Sequence, residues 1–192
     1  LIAPLGARKV DELIEDVRSA DEAIVPDIAR TALLALADQL ALLADEIGRM
    51  DRRLLAWHRQ DELSQRLATI PGVGVIGATA LSASIPNPTM FRSGREFAAF
   101  LGLVPRQNSS GGKDRLGRIS KMGDGYLRKL LVVGATSVVR RAKTDALAAA
   151  PCVRSLLERR PARVATVAMA NKTARIAWAV MARGEVYRPI AA

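Results

Sequence analysis

The chain has 192 residues, of which 49% are hydrophobic, 25% charged and only 4% aromatic, and its formal charge is +10. That composition supports one or two domains with real cores and excludes a disordered basic tail, while the shortage of aromatics argues against gripping single strands on rows of stacked rings. The one cysteine, Cys152, excludes an intrachain disulfide or thiolate metal cluster, and every apolar run meets a charge well before the roughly 18 residues of a membrane span.

The first segment, residues 1–26, opens on Leu1 rather than Met, which points to a fragment, a processed product or a non-standard start. Within it Val10, Leu13, Ile14 and Val17 form a helical stripe. Pro26 marks the start of a longer helix. Ile28, Ala32, Leu36, Leu40, Leu43, Ile47, Met50 and Leu54 recur at steps of three and four, with charges on the other faces. This spacing predicts a coiled-coil-like helix over residues 27–66. Such a seam packs within its own domain or pairs two protomers, and its length favours pairing. His58, the only histidine, reads as a solvated helix-end residue and not as a catalytic base.

Residues 67–188 read as a compact helical domain. Ile70-Pro-Gly-Val-Gly74 between two apolar helical stretches resembles a helix-hairpin-helix, in which Gly72 and Gly74 free backbone N–H groups to face a phosphate. A plain helical turn is the alternative. Ser93-Gly-Arg-Glu96 predicts a capping box opening a short helix through Leu101. Residues 106–120 form a loop or tight hairpin. A helix restarts at Tyr126 and runs to the cluster Arg140, Arg141 and Lys143; another short one covers 145–159. Pro161 starts the last helix, from Ala162 to about Arg183, and Gly184 suits its C-cap. No strand pattern or internal repeat stands out, so the fold class is mostly α. Cys152 reads as a small apolar filler, and a reducing, cytoplasmic setting fits a chain with one thiol.

The most informative stretch is Asn108-Ser-Ser-Gly-Gly-Lys-Asp-Arg-Leu-Gly-Arg-Ile-Ser-Lys121, with three glycines, four basic residues and a single acid, Asp114. Glycine lets the main chain approach closely, converging N–H groups bind an anion, and Arg and Lys neutralise it. The charge is unevenly spread. Residues 1–70 carry 9 basic and 13 acidic side chains, residues 92–143 carry 12 and 3, and residues 144–192 carry 8 and 3. The positive field therefore belongs to the last hundred or so residues, as expected where that part meets phosphates. Gly72, Gly74, Arg106, Gly111, Lys113, Arg115, Arg118, Lys121, Arg128 and Lys172 are the candidate nucleic-acid contacts. The acids after residue 70 are scattered and unpaired, so no metal site is expected there, since two-metal phosphoryl chemistry gathers several carboxylates about ions roughly 4 Å apart. A serine hydroxyl attacking a phosphodiester needs nearby cations instead. Ser109 and Ser110 have them, although a serine that only hydrogen-bonds phosphate is the commoner arrangement.

One ordered series closely resembles the C-terminal half of transposases of the insertion-sequence family numbered one hundred and ten, in its eleven-eleven branch. It runs Ile70-Pro-Gly-Val-Gly74, Phe91-Arg-Ser-Gly-Arg95, Gly102-Leu-Val-Pro-Arg-Gln-Asn-Ser-Ser-Gly-Gly-Lys113, Gly117-Arg-Ile-Ser-Lys121, Tyr126-Leu-Arg-Lys-Leu-Leu131, Ala170-Asn-Lys172 and Ala174-Arg-Ile176. The likeness covers residues 27–188. It implies an N-terminal RNase H-like domain with a four-acid Mg²⁺ site, absent from this sequence, then a coiled coil and a transposase domain with an active serine. It also implies DNA as substrate, a structured guide RNA and action as a multimer. The family's serine maps onto Ser110, with Ser109 as its neighbour. Met122 and Gly125 depart from the basic residues usual there, and Thr173 from Met. A decayed or truncated gene copy is one reading of those departures. The leading expectation is the C-terminal part of a serine-using DNA transposase, inactive by itself. The alternatives are a non-enzymatic helix-hairpin-helix nucleic-acid-binding module and a purely structural oligomerisation fragment.

Overall fold

Pro26 and Asp27 fix where the long helix begins, because proline suits a helix start and aspartate favours the positive end of the helix dipole. The structure, a computed structural model, describes residues 7–21, 24–108, 116–145 and 150–188. The chain divides into two compact units, Leu1–Arg53 and Leu54–Ala192. In the first, α1 (Ala7–Ser19) follows the stripe from Val10 to Val17, and α2 (Asp27–Gln60) starts after Pro26 and runs on past the division. Arg30 ties the start of α2 to the end of α1. Its Nη1 donates to the Arg18 carbonyl at 3.1 Å and its Nη2 to the carbonyl of Ala20. Val17, Val25 and Ala37 are buried, whereas Ile28, Leu36, Leu40, Leu43, Ile47 and Met50 are 47–86% exposed. The apolar seam of α2 is thus open to solvent.

The helix expected over 27–66 is two helices. Helical pairing parts at Asp61, whose carboxylate accepts the Ser64 N–H at 3.0 Å and caps α3 (Glu62–Ala68). The same oxygen accepts the Ser82 hydroxyl at 2.6 Å. A side chain that satisfies the orphan donors of a new helix competes with continuation of the old one. His58 also differs from the solvated residue expected: it is half-buried, with Nδ1 2.7 Å from the hydroxyl of fully buried Ser64. The pair pins the end of α2 to α3.

The second unit continues with α4 (Val75–Ser84), a 3₁₀ turn (Pro88–Met90), α5 (Gly94–Phe100), β1 (Pro105–Gln107), β2 (Leu116–Ile119), α6 (Gly125–Thr144), α7 (Pro151–Arg159) and α8 (Ala162–Arg183). The caps follow local chemistry. Ser93 accepts the Glu96 N–H at 3.3 Å, and Glu96 reaches back to the Arg92 N–H at 2.7 Å, one residue before the position expected of the box. Asp124 accepts the N–H groups of Tyr126 and Leu127 at 2.8 and 2.9 Å. Gly184 closes α8 in the left-handed conformation that glycine tolerates.

Helix α8 is the hub, packed against α3, α5, α6 and α7. Its Ala165, Ala170, Ala174 and Ala177 are fully buried, and these small residues let neighbouring backbones come close. Around it lie Leu67, Ile70, Leu81, Phe97, Leu101, Leu103 and Leu127, all almost completely buried, each worth roughly 2 kcal/mol of transfer free energy. Phe91 meets Phe97 and Phe100 with ring centroids 5.1 Å apart. A smaller cluster, Val139, Ala142 and Val153, seats α7.

Two further expectations are corrected. The chain has strands: β1 and β2 are antiparallel, with Pro105 opposite Ile119 and Gln107 opposite Leu116 and an irregular step between. Segments of three and four residues are too short to show a period of two. Cys152 is exposed and not an apolar filler. It stands at the start of α7, where its sulfur accepts a bond from the Lys172 ammonium at 3.0 Å.

Candidate nucleic-acid interface

The two strands flank the basic stretch and bring its ends together across the β1–β2 pairing. The base of this hairpin is clamped by close backbone approaches. Gly102, at φ +68°, would put a Cβ 2.1 Å from the Met122 carbonyl oxygen, and Gly123 would put one 1.7 Å from that of Phe100. Neither position admits a side chain. The Lys121 N–H donates to the Gly102 carbonyl at 3.1 Å and the Ser120 N–H to that of Val104 at 2.8 Å. Lys121 itself sits at φ +56°, a conformation that costs a non-glycine residue about 1 kcal/mol and that the surrounding bonds enforce.

The sequence-derived candidates fall into distinct places. Ser109, Ser110, Gly111, Lys113 and Arg115 lie outside the described residues. Arg106 on β1 and Arg118 on β2 are exposed, as is Lys121 just beyond. Arg106 spends one nitrogen on the Ser120 carbonyl at 3.1 Å, which braces the hairpin. Arg128 is half-buried on α6, and its Nη1 donates to the carbonyls of Leu101 at 3.0 Å and Met122 at 3.3 Å. That position gives Arg128 a structural task at the hairpin base. Lys172 is exposed on α8 beside Asn171, whose side chain donates to the Leu103 carbonyl at 3.1 Å.

Gly72 and Gly74, joined in one motif by sequence, have different surroundings. Gly72, at φ +86°, packs its backbone on α6: an added Cβ would stand 2.8 Å from the Gly134 carbonyl oxygen. Gly74 is exposed, precedes α4 with no side-chain cap, and an added Cβ there would meet nothing within 4 Å. The partner in that packing, Gly134, escaped the sequence reading. Its signal was a glycine inside a helix, which costs about 1 kcal/mol relative to alanine and so calls for a packing reason.

Among the described residues the cations of the site have no carboxylate partner. Among the described residues the ion pairs, Lys9–Glu12, Arg18–Glu15, Arg30–Asp27 and Arg49–Glu46, all lie in the first unit. Arg106, Arg118, Lys121 and Lys172 make none. No three His, Cys, Asp or Glu side chains gather among the described residues, which therefore do not fit a Mg²⁺ centre. No helix among them is long and apolar enough to cross a membrane.

Residues 64–150 match the Transposase IS116/IS110/IS902 family. That span begins at buried Ser64 in α3 and takes in α4, α5, the hairpin and α6. A protein of Pseudomonas aeruginosa named "Probable family 20 transposase" is 47% identical over 92% of this chain and 52% of its own length. The "Transposase for insertion sequence element IS1328" of Yersinia enterocolitica is 39% identical over 87% of this chain and 50% of its own. The "Transposase for insertion sequence element IS1111A" of Coxiella burnetii is 36% identical over 95% and 50%. The chain thus spans about half the length of these relatives. The match and the relatives together make the chain similar to transposases of this family.

Proposed function

We propose that this chain is the DNA-binding C-terminal part of a DNA transposase, in which a serine of the basic hairpin attacks a scissile phosphate. Ser110 is the assigned nucleophile and Ser109 its neighbour. The Ser110 oxygen forms a bond to phosphorus while the sugar oxygen leaves as a hydroxyl, giving a covalent protein–DNA link and splitting strand transfer into two steps. Arg106, Lys113, Arg115, Arg118 and Lys121 offset the charge gathering on the phosphate. A structured guide RNA selects the site, and the open α2 seam pairs protomers as a coiled coil. The Mg²⁺ chemistry belongs to residues outside this sequence.

One observation carries the reading: the hairpin that carries Ser109 and Ser110 in its sequence is clamped at its base, and its described cations Arg106, Arg118 and Lys121 are exposed and make no ion pair among the described residues. The relatives named as transposases support it. The test is Ser110→Ala in a protein that joins this chain to the RNase H-like domain the resemblance implies. The variant should bind duplex DNA as before but lose the covalent adduct seen after denaturing electrophoresis; adducts that persist refute the assignment. A second reading, a binding module without chemistry, draws on the uncapped, exposed start of α4 at Gly74. It expects no adduct in either protein.

A further inference from the structure

A second cationic surface lies apart from the hairpin strands. A groove of about 670 Å³ opens between the start of α5 and α8, and its lining includes Arg95, Lys172 and Arg175 and no carboxylate. Its walls are fixed. Gly94 is buried so close to α8 that an added Cβ would stand 2.9 Å from the Arg175 carbonyl oxygen. Trp178 Nε1 donates to the Pro88 carbonyl at 3.0 Å, and Asn171, also in the lining, donates to the Leu103 carbonyl at 3.1 Å. Asn171 thus ties the groove wall to Leu103, two residues before β1. The nearest acid in sequence, Glu96, is engaged with the Arg92 N–H. Among the described residues Arg95, Lys172 and Arg175 make no ion pair, and all three are exposed.

Three exposed cations on a fixed frame, of which only Lys172 has a described side-chain partner, the neutral Cys152 sulfur at 3.0 Å, suit a row of phosphates. The one ring in the lining, Trp178, is half-buried and tethered, so the groove has no free platform on which an unpaired base could stack. That favours a partner whose bases are already stacked inside a duplex. We infer that the α5–α8 groove docks the sugar–phosphate backbone of duplex DNA, extending the hairpin's contact surface through Arg95, Lys172 and Arg175. The inference rests on the DNA-binding reading above and adds a surface to it.

The test is the salt dependence of binding of the whole chain to a short random-sequence DNA duplex, read by fluorescence anisotropy. Each phosphate contact contributes a slope of about −0.9 in log affinity against log salt. The triple Arg95→Gln/Lys172→Gln/Arg175→Gln variant should flatten the slope by about 2.7 and bind on the order of a hundredfold more weakly at 0.1 M salt. The charge-retaining Arg95→Lys/Lys172→Arg/Arg175→Lys variant should keep the slope. If the neutral triple fails to fold, Arg95→Gln and Lys172→Gln singly should each remove about 0.9. An unchanged slope in the neutral variants overturns the groove while Arg106→Gln/Arg118→Gln, if it lowers the slope, keeps the wider reading. A loss confined to an RNA duplex overturns the groove's assignment to DNA. Absence of salt-sensitive duplex binding in the unaltered chain overturns both.

Discussion

Replacing Gly134 by alanine isolates the close contact that holds α6 on the turn between α3 and α4. In an ordinary helix interior this change stabilises by about 1 kcal/mol, because glycine wastes backbone entropy. Here the new Cβ would lie 1.8 Å from the Gly72 carbonyl oxygen and 2.9 Å from its carbon, against an ordinary contact of 3.4 Å or more. The backbones must separate by about 1.6 Å. The turn cannot give way cheaply: the Val73 N–H donates to the Ile70 carbonyl at 2.9 Å, and Ile70 and Val73 are buried in the core. Overpacking of this kind costs about 1–3 kcal/mol, sometimes more, and backbone against backbone lies at the high end. After the helix-propensity gain, Gly134→Ala should still destabilise by about 2 kcal/mol, lowering the melting temperature by about 4–8 °C. Urea and thermal unfolding followed by circular dichroism would measure it. Gly74→Ser is the control, since that position is open and at φ −87°; it should be neutral or gain up to about 1 kcal/mol from a new cap. A Gly134→Ala chain as stable as the parent would refute the close packing and the role given to Gly72.

Asp61→Ala removes the α3 cap and leaves the Ser82 hydroxyl without its acceptor, so urea unfolding should show a loss of about 1–3 kcal/mol. Arg128→Gln breaks the ties to Leu101 and Met122; it should lower the melting temperature by several degrees yet leave the salt slope of DNA binding unchanged, which anisotropy titrations would check. Leu40→Asp/Ile47→Asp places charges in the exposed α2 seam, and sedimentation velocity should then show any self-association of the parent reduced to monomer.

Local signals carried much of the fold. Pro26, Ser93, Pro161 and Gly184 each act through neighbours within a turn of helix, so their elements stand where local chemistry places them. The Asp61 break was equally local, an aspartate three residues before Ser64, but the strong three-and-four periodicity of α2 masked it. What stayed hidden was long-range. Nothing within a few residues of Gly72 reveals that its surface is filled by Gly134, and nothing near Arg128 shows that the carbonyls of Leu101 and Met122 will claim its guanidinium. Cys152 was misjudged for a similar reason: its exposure depends on where α7 lies along α6 and α8. The candidate site was legible as a cluster of charge, while the division of its cations into braces and free groups needed the folded backbone.

That division bears on what the charge is for. Surface ion pairs contribute little to stability, yet α1 and α2 use them at i, i+3 spacings, and the second unit's described cations do not. Four arginines of the second unit instead donate to backbone carbonyls: Arg66 to Gly184, Arg106 to Ser120, Arg128 to Leu101 and Arg159 to Ser155. Those bonds hold helix ends and the hairpin base, and they would be needed whatever the protein bound. Arg95, Arg118, Lys121 and Arg175 have no such task among the described residues. Crowding them on one unit costs self-repulsion without structural return, and interspersed carboxylates would have removed that cost. Their retention makes physical sense where a polyanion supplies the missing negative charge, and it then requires that stability rise when DNA binds, since a ligand bound only to the folded state stabilises it. A melting temperature that fails to increase with added duplex at low salt would remove this argument, even if weak binding were detected.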